Sequence, residues 1–404
     1  MSKPLVIFTY APTGLGHIRV TDALRDGLPD CFDSLVFSPN DPSIEYIHRI
    51  ISLNVFARHI MEWVQRGAPQ RIFTYFYRKF LKSHPENIFF ELISLIKSLN
   101  SSPSKIIIVA THFGLAYQIG LLKPILEKEL KTEINLVVQV TDDSPQYIWY
   151  VDVADLIIAP SQKTVDELQK YGRLAKLKPV KFSVVPYPVN SALSKTLSPE
   201  KINQRLEQYN PKSNTPINIM IPVSGAAVGM NFFIKLTEKL HQLSNRYFFH
   251  IVCRQAPFTD NFIVNMQPKK YVNLYTAQSY QNTVDLYDNI YQKNIIAAEI
   301  TKPSEQSFKG QLRNDSVGGS FLFFARPVGR QEYDNLNYLD RNGLLSSSGR
   351  GVQIPFGSTN AVRFIHQHFM NGILYDNFKI LQKTETKEID TVSEFWQTVK
   401  TSFM

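Results

Sequence analysis

Two short stretches of this 404-residue sequence carry residue types that act on anions and on protons. In "TYAPTGLGHIRVTDALRDGL", residues 9–28, Gly14, Gly16 and His17 stand on the bend between the apolar run "PLVIF" and an amphipathic helical pattern. A glycine-bearing turn that opens a helix brings backbone N–H groups and the positive helix end towards an anion. An imidazole beside such a turn, with an ordinary pKa of about 6.5, suits proton acceptance near neutrality or positioning of a reacting hydroxyl. The second stretch is "PVSGAAVG", with Ser224, Gly225 and Gly229 after the apolar run 217–222. Glycines also end strands for steric reasons alone, so one such turn says little, whereas two in corresponding places say more. His112, closing another apolar run, is either a substrate contact or a hydrogen-bonded structural group. Asp142 and Asp143, in "VTDDSPQYIW", serve either as an alternative base or orienter for His17, or as caps of the turn at Ser144.

The elements that must position these residues follow from periodicity. Short, continuously apolar runs rich in Val and Ile read as strands at 4–9, 34–38, 105–110, 134–140 and 155–160, with helical patterns at 17–28, 114–129 and 161–171. Continuous rather than alternating apolarity is expected of strands covered by helices on both sheet faces, so the pattern predicts a doubly wound parallel sheet. Polar, proline-bearing sequence at 186–216 interrupts it, and the alternation restarts with strands at 217–222, 247–253, 294–300 and 319–325 and a helix at 229–243. The expectation is an α/β chain of two Rossmann-like domains facing a central cleft: 1–190, a linker region at 191–216, and 217–404.

Between the strands at 34 and 105 lies a helical insertion, 44–99, longer than an ordinary crossover. It carries many aromatics, and its polar side holds Arg49, Arg58, Arg66, Arg71, Arg78, Lys79 and Lys82. These helices either pack on their own domain with solvated cations, or rest on anionic lipid with aromatics in the interface.

The bulk numbers set boundaries. A hydrophobic fraction of 44% and a charged fraction of 20% are those of a globular chain. Cys31 and Cys253 stand alone, so neither a disulfide framework nor a zinc site is expected, and a reducing compartment fits. No secretory signal or membrane-spanning run is read, which gives a cytoplasmic location as the expectation. A net charge of +9 favours an anionic partner. Nucleic acid is not expected, since no helix-turn-helix, zinc-finger or RNA-platform motif is present.

Taken in order, the motifs resemble glycosyltransferases of the two-Rossmann (GT-B) architecture, nearest to family 28, which holds diacylglycerol sugar transferases and the peptidoglycan-pathway GlcNAc transferase. "TGLGH" (13–17), "THFG" (111–114), "VTDDSPQYIW" (140–149), "DLIIAPSQKTVDELQKYG" (155–172) and "VVPYPVN" (184–190) follow the first half of that family. "PVSGAAVG", "HIVCRQ" (250–255), "EITKPSEQS" (299–307) and "RPVGRQEYDNLNYLDRNG" (326–343) follow its nucleotide-binding half.

The resemblance implies inverting transfer of a sugar from a nucleotide donor, usually UDP-linked, to an acceptor hydroxyl of a lipid, glycan or small molecule, with no metal and no cofactor beyond the nucleotide sugar. It makes 1–190 the acceptor domain and 217–404 the donor domain, with the last helix crossing back to the first, and allows a peripheral position on the inner face of a membrane. His17 becomes the base, and Gly14 and Gly16 join the donor contacts. In the second half the donor contacts are Ser224, Gly225, Gly229, Arg254, Lys302, Ser304 and Glu305. Gln331 and Glu332 match a pair that contacts donor-sugar hydroxyls, while Glu332 equally suits a helix N-terminus; Asn335 lies on the same helix. The family's ribose-binding glutamate falls at Gly310 here, so either the nucleotide is held differently or Glu305 takes that duty. Two other readings stay open on the same fold: a nucleotide-sugar 2-epimerase, and a non-catalytic binding protein.

Overall fold

The computed structural model describes residues 3–11, 14–39, 67–82, 85–99, 103–223, 225, 227–345, 349–383 and 390–404. The chain divides into two compact units, Met1–Asn190 with Asp390–Met404, and Ser191–Ile389.

In the first unit β1 (Leu5–Thr9), β2 (Asp33–Phe37), β3 (Ile106–Ala110), β4 (Ile134–Gln139), β5 (Leu156–Ala159) and β6 (Lys181–Val184) form one parallel sheet in the order β2-β1-β3-β4-β5-β6. Every residue of β1, β3, β4 and β5 is buried, which is why these strands read as unbroken apolar runs. The helices are α1 (Leu15–Asp26), α2 (Gly67–Leu81), α3 (Glu86–Lys97), α4 (Phe113–Leu130) and α5 (Gln162–Leu174), with a short 3-10 turn at Tyr147–Trp149. Residues 40–66, and with them Arg49, Arg58 and Arg66 of the predicted insertion, lie outside the described residues.

The second unit holds β7 (Ile217–Pro222), β8 (Tyr247–Arg254), β9 (Val272–Ala277), β10 (Ala298–Thr301), β11 (Phe321–Phe324) and β12 (Gly351–Gln353), parallel in the order β12-β11-β10-β7-β8-β9. Its helices are α6 (Ser191–Ser194), α7 (Pro199–Tyr209), α8 (Met230–Leu243), α9 (Asp260–Met266), α10 (Tyr280–Lys293), α11 (Arg330–Arg341), α12 (Ser358–Met370) and α13 (Ile373–Lys383), with a 3-10 helix at Glu305–Gln311.

The stretch 191–216, expected as a linker, folds as part of this second unit. Ser198 caps α7 by accepting from the Lys201 N–H, and Pro199 occupies its first turn, where a missing N–H costs nothing. Arg205 of α7 is buried and donates to the carbonyls of Asn314, Ser316 and Val317 at 2.7–2.9 Å, and the Tyr209 hydroxyl donates to the Ala297 carbonyl.

The last helix, α14 (Thr391–Phe403), packs on the first unit. Trp396 donates its indole N–H to the Leu24 carbonyl at 2.9 Å and meets Phe8 edge-on. A Cβ on Gly27 would stand 2.3 Å from Val392 Cγ1, so the close approach of α14 requires glycine there.

Candidate functional site

In each sheet the strand order reverses at one place: β1 beside β3 in the first, β7 beside β10 in the second. Crevices outside the carboxyl ends of strands at such reversals are where open α/β sheets bind ligands. The candidate residues converge on these two places, each within its own unit.

In the first unit, the turn after β1 leads to Gly14, the N-cap of α1, so Gly16 and His17 belong to the first helical turn rather than to a loop. Gly14 has φ −175°, extended backbone open to any residue, so no left-handed bend accounts for it. His17 Nδ1 lies 2.6 Å from the Thr111 carbonyl oxygen at the end of β3. A carbonyl only accepts, which assigns the ring proton to Nδ1 and leaves the lone pair of the neutral imidazole on Nε2. The Thr21 hydroxyl donates to the His17 carbonyl at 2.8 Å and sits 3.1 Å from the Thr111 hydroxyl, tying the first turn of α1 to the β3 end. Thr141, at the end of β4, places its hydroxyl 3.5 Å from the same Nδ1.

His112 is the buried N-cap residue of α4, with its ring 5.3 Å from that of His17 at 84° and stacked on Phe113 at 4.7 Å. A Cβ on Gly114 would meet His112 Cε1 at 2.9 Å, so the glycine of "THFG" makes room for the imidazole. Asp143 is almost wholly buried and accepts from the hydroxyls of Ser161, the N-cap of α5, and of Thr164, the latter at 2.8 Å. Asp142 accepts from the Ser144 N–H at 3.1 Å. The structure therefore brings His17, His112 and the 141–143 turn together, with both carboxylates engaged in turn and helix-cap contacts.

The second unit presents a different turn. After β7, Ala227 has φ +53° and Gly229, the N-cap of α8, has φ +89°. Left-handed backbone costs an alanine about 1–2 kcal/mol, and strain of this kind concentrates at ligand sites. Ser224 lies outside the described residues. A Cβ on Gly225 would stand 3.2 Å from Tyr280 Cε1 at the start of α10. The same Tyr280 ring carries the Arg254 guanidinium at 4.2 Å, with Phe258 on a further side at 5.6 Å. Arg254 is the last residue of β8, at the carboxyl end of the strand next to β7.

Beyond β10, Lys302 Nζ lies 3.8 Å from Glu332 Oε1, and Glu332 Oε2 accepts from the Val328 N–H at 2.6 Å. Glu332, the third residue of α11, thus reaches back to the residue before its Gly329 N-cap. Burial raises its carboxyl pKa, against the pull of Lys302 and the Val328 N–H. Asn335 is buried and donates to the Pro303 carbonyl at 3.2 Å, fastening the loop after β10 to α11; Gln331 is exposed. The Ser304 hydroxyl donates to Gln306 Oε1 at 2.7 Å, and Glu305 opens the 3-10 helix. A Cβ on Gly310 would meet Leu339 Cδ2 at 3.2 Å, so that position faces α11.

Beneath this loop lies a buried ionic network. Glu299 of β10 pairs with Lys309 and accepts from the hydroxyls of Tyr287 and Tyr291, each at 2.7 Å. Arg350 donates to the carbonyls of Ser320, Lys309 and Leu312, and burial, with Arg205 nearby, lowers its pKa to about 10.

Sequence reasoning picked His17, Arg254 and Lys302 by type, but missed Thr111 and Thr141, the strained Ala227, Tyr280 and the Glu299 network. Thr111, Thr141, Ala227 and Glu299 all fall inside the motifs "THFG", "VTDDSPQYIW", "PVSGAAVG" and "EITKPSEQS", but nothing in those motifs singled them out. Among the described residues, no group of three or more His, Cys, Asp or Glu side chains is arranged to hold a metal ion.

No protein-family model and no curated protein matches the chain. Solved structures match its fold. A candidate UDP-N-acetylglucosamine 2-epimerase from Listeria monocytogenes is 11% identical, with a TM-score of 0.55 over 100% of this chain and 97% of its own. MnaA of S. aureus, in a co-structure with UDP, is 13% identical, with a TM-score of 0.53 over 99% and 96%. Arabidopsis thaliana UGT89C1 complexed with UDP-L-rhamnose is 10% identical, with a TM-score of 0.52 over 100% of each chain. At such identities the likeness is one of fold: two Rossmann-like units in the GT-B architecture.

Proposed function

We propose that this chain is an inverting transferase that moves a sugar from a UDP-linked donor to an acceptor hydroxyl, as the family 28 motifs imply. His17 Nε2 takes the proton of the acceptor hydroxyl, whose oxygen bonds to the anomeric carbon as the bond to the diphosphate breaks and UDP leaves with the electron pair. The charge on the leaving diphosphate is met by amides of the Gly225–Gly229 turn with Arg254 and Lys302, so the step calls on no metal. Gln331 and Glu332 bind donor-sugar hydroxyls, and Asn335 supports the loop that carries Ser304 and Glu305. The acceptor is a lipid or glycan. Two of the structures of like fold hold UDP or a UDP-sugar, which supports a uridine nucleotide as the donor.

The observation that carries this reading is the 2.6 Å contact from His17 Nδ1 to the Thr111 carbonyl, which makes Nε2 the basic nitrogen at the strand-order reversal. The Listeria structure of like fold favours a second reading, epimerisation of a UDP-sugar. One experiment separates them: incubation with UDP-glucose, UDP-galactose and UDP-GlcNAc, with and without diacylglycerol or glycan acceptors, followed by product analysis. Transfer requires acceptor-dependent UDP release and a glycosylated product, in EDTA as in buffer. An altered sugar nucleotide without UDP release gives the site to the epimerase reading, and bound nucleotide without any product gives it to a binding protein.

A further inference from the structure

The segment after β10 folds in a way that its backbone alone does not support. Glu305–Gln311 is a 3-10 helix of seven residues. The poorer hydrogen-bond geometry of such helices usually limits them to about three or four. Side chains from several elements hold this one in place. Lys309 is buried beneath it and pairs with Glu299 of β10. Its Nζ donates to the Tyr291 hydroxyl at 2.7 Å and lies over the Tyr291 and Tyr287 rings of α10 at 4.1 and 5.1 Å. Arg350, just before β12, donates to the carbonyls of Lys309 and Leu312, and to that of Ser320. Phe308 is wholly buried, with its ring 5.2 Å from that of Tyr338 on α11.

Stability alone does not call for an ion pair here. A buried pair replaced by well-packed apolar side chains often leaves a protein as stable or more so. Lys309 and the two tyrosine hydroxyls all meet on Glu299 Oε2, while Oε1 is buried and, among the described residues, has no hydrogen-bond partner. A buried acceptor left in that state costs free energy. What the pair supplies is a single seat. An apolar side chain tolerates several depths, whereas a buried ammonium is satisfied only where its acceptors stand. We propose that Lys309, seated by Glu299, is a positioning residue for the donor site. The same short segment, 302–311, carries this buried anchor near one end and Lys302, Ser304 and Glu305 at the other. Lys302 follows β10 and stands 3.8 Å from Glu332, and the Pro303 carbonyl accepts from Asn335. Moving Lys309 off its seat shifts the 3-10 helix, and with it those three side chains. The inference rests on the nucleotide reading above and adds to it: the loop meets the diphosphate only in the register that Lys309 fixes.

The test compares the full wild-type chain with two variants. Glu299→Gln strands the ammonium; Glu299→Gln with Lys309→Met removes both charges and leaves an apolar chain of similar length. The measurements are Tm, calorimetric titration of UDP well below the Tm of every protein, and amide hydrogen exchange. The single variant is expected to lose stability, and the double variant to regain the wild-type Tm within a few degrees. UDP affinity is expected to stay about tenfold weaker in the double variant. Exchange should be faster at 302–311 there and unchanged in β7 and β8. A merely structural role would bring affinity back together with stability. Wild-type affinity or unchanged exchange at 302–311 in the double variant therefore overturns the inference, as does a double variant no more stable than the single one. The same titrations decide the nucleotide reading separately. No heat from the wild type removes both, whereas equal binding by the wild type and the double variant removes the positioning role alone.

Discussion

At the carboxyl edge of the first sheet, Gly14 enters α1 in extended backbone at φ −175°; at the same place in the second, Gly229 enters α8 at φ +89° behind a left-handed Ala227. In sequence the two turns look alike. In the first, the backbone at Gly14 does not call for glycine, whereas space calls for it at Gly114, which makes room for His112. In the second, Ala227 takes a left-handed conformation that costs free energy, and Gly225 approaches the Tyr280 ring on which Arg254 stacks. The foundations differ as well. The first edge is held by hydroxyls and carbonyls of Thr21, Thr111 and Thr141, the second by a buried Glu–Lys–Tyr network. On the function proposed above, the first edge would supply the base and the second would meet the charge of the diphosphate.

That contrast breaks most sharply at His17. His17→Ala is expected to lower transferase turnover by roughly 10²–10⁴-fold while UDP affinity stays unchanged. Turnover that survives removes the base from the first edge, and lost UDP affinity merges the two roles the comparison separates.

Stability separates the foundations. Glu299→Gln strands the Lys309 ammonium in the interior and is expected to cost about 3–5 kcal/mol in denaturant unfolding. Asp143→Ala removes an acceptor from two hydroxyls and should cost about 1–3 kcal/mol. Equal losses would erase the distinction between an ionic and a hydroxyl-built edge.

A further effect is one of pH, again in the second unit. His250 is buried against Asn218 and Tyr275, and burial lowers its pKa to about 4. The folded state then binds fewer protons than the unfolded one between about pH 6.5 and 4. This stabilisation is complete above that window and is lost as pH falls through it, by up to about 3 kcal/mol. His250→Asn should flatten the pH dependence of the unfolding midpoint there; an unchanged slope would place the titration elsewhere.

Much of the fold was legible because both sheets are covered on their two faces, so β1, β3, β4 and β7 announce themselves as unbroken apolar runs. The edges were harder. At the sheet margins, "KFSV" of β6 and "VNLYTA" of β9 are only partly buried, and β12 is three residues long, so periodicity left them unmarked. Helix α7 was hidden by its polar composition, although "SPE" at 198–200 is a helix start in residue type. At the site, side-chain types could be read, but the partner that fixes His17 is a backbone carbonyl 94 residues away. No residue identity encodes such a contact. The sign of φ at Ala227 was equally invisible, since alanine carries no mark of strain.

The central claim, that the turn after β7 and the cations beside it hold a nucleoside diphosphate, is tested most directly by calorimetric titration of UDP into the wild-type chain and into Arg254→Ala with Lys302→Ala. Saturable binding is expected for the wild type, and affinity weakened on the order of a hundredfold in the double variant at unchanged Tm. Absence of binding heat in the wild type, or equal affinity in both proteins, would contradict it.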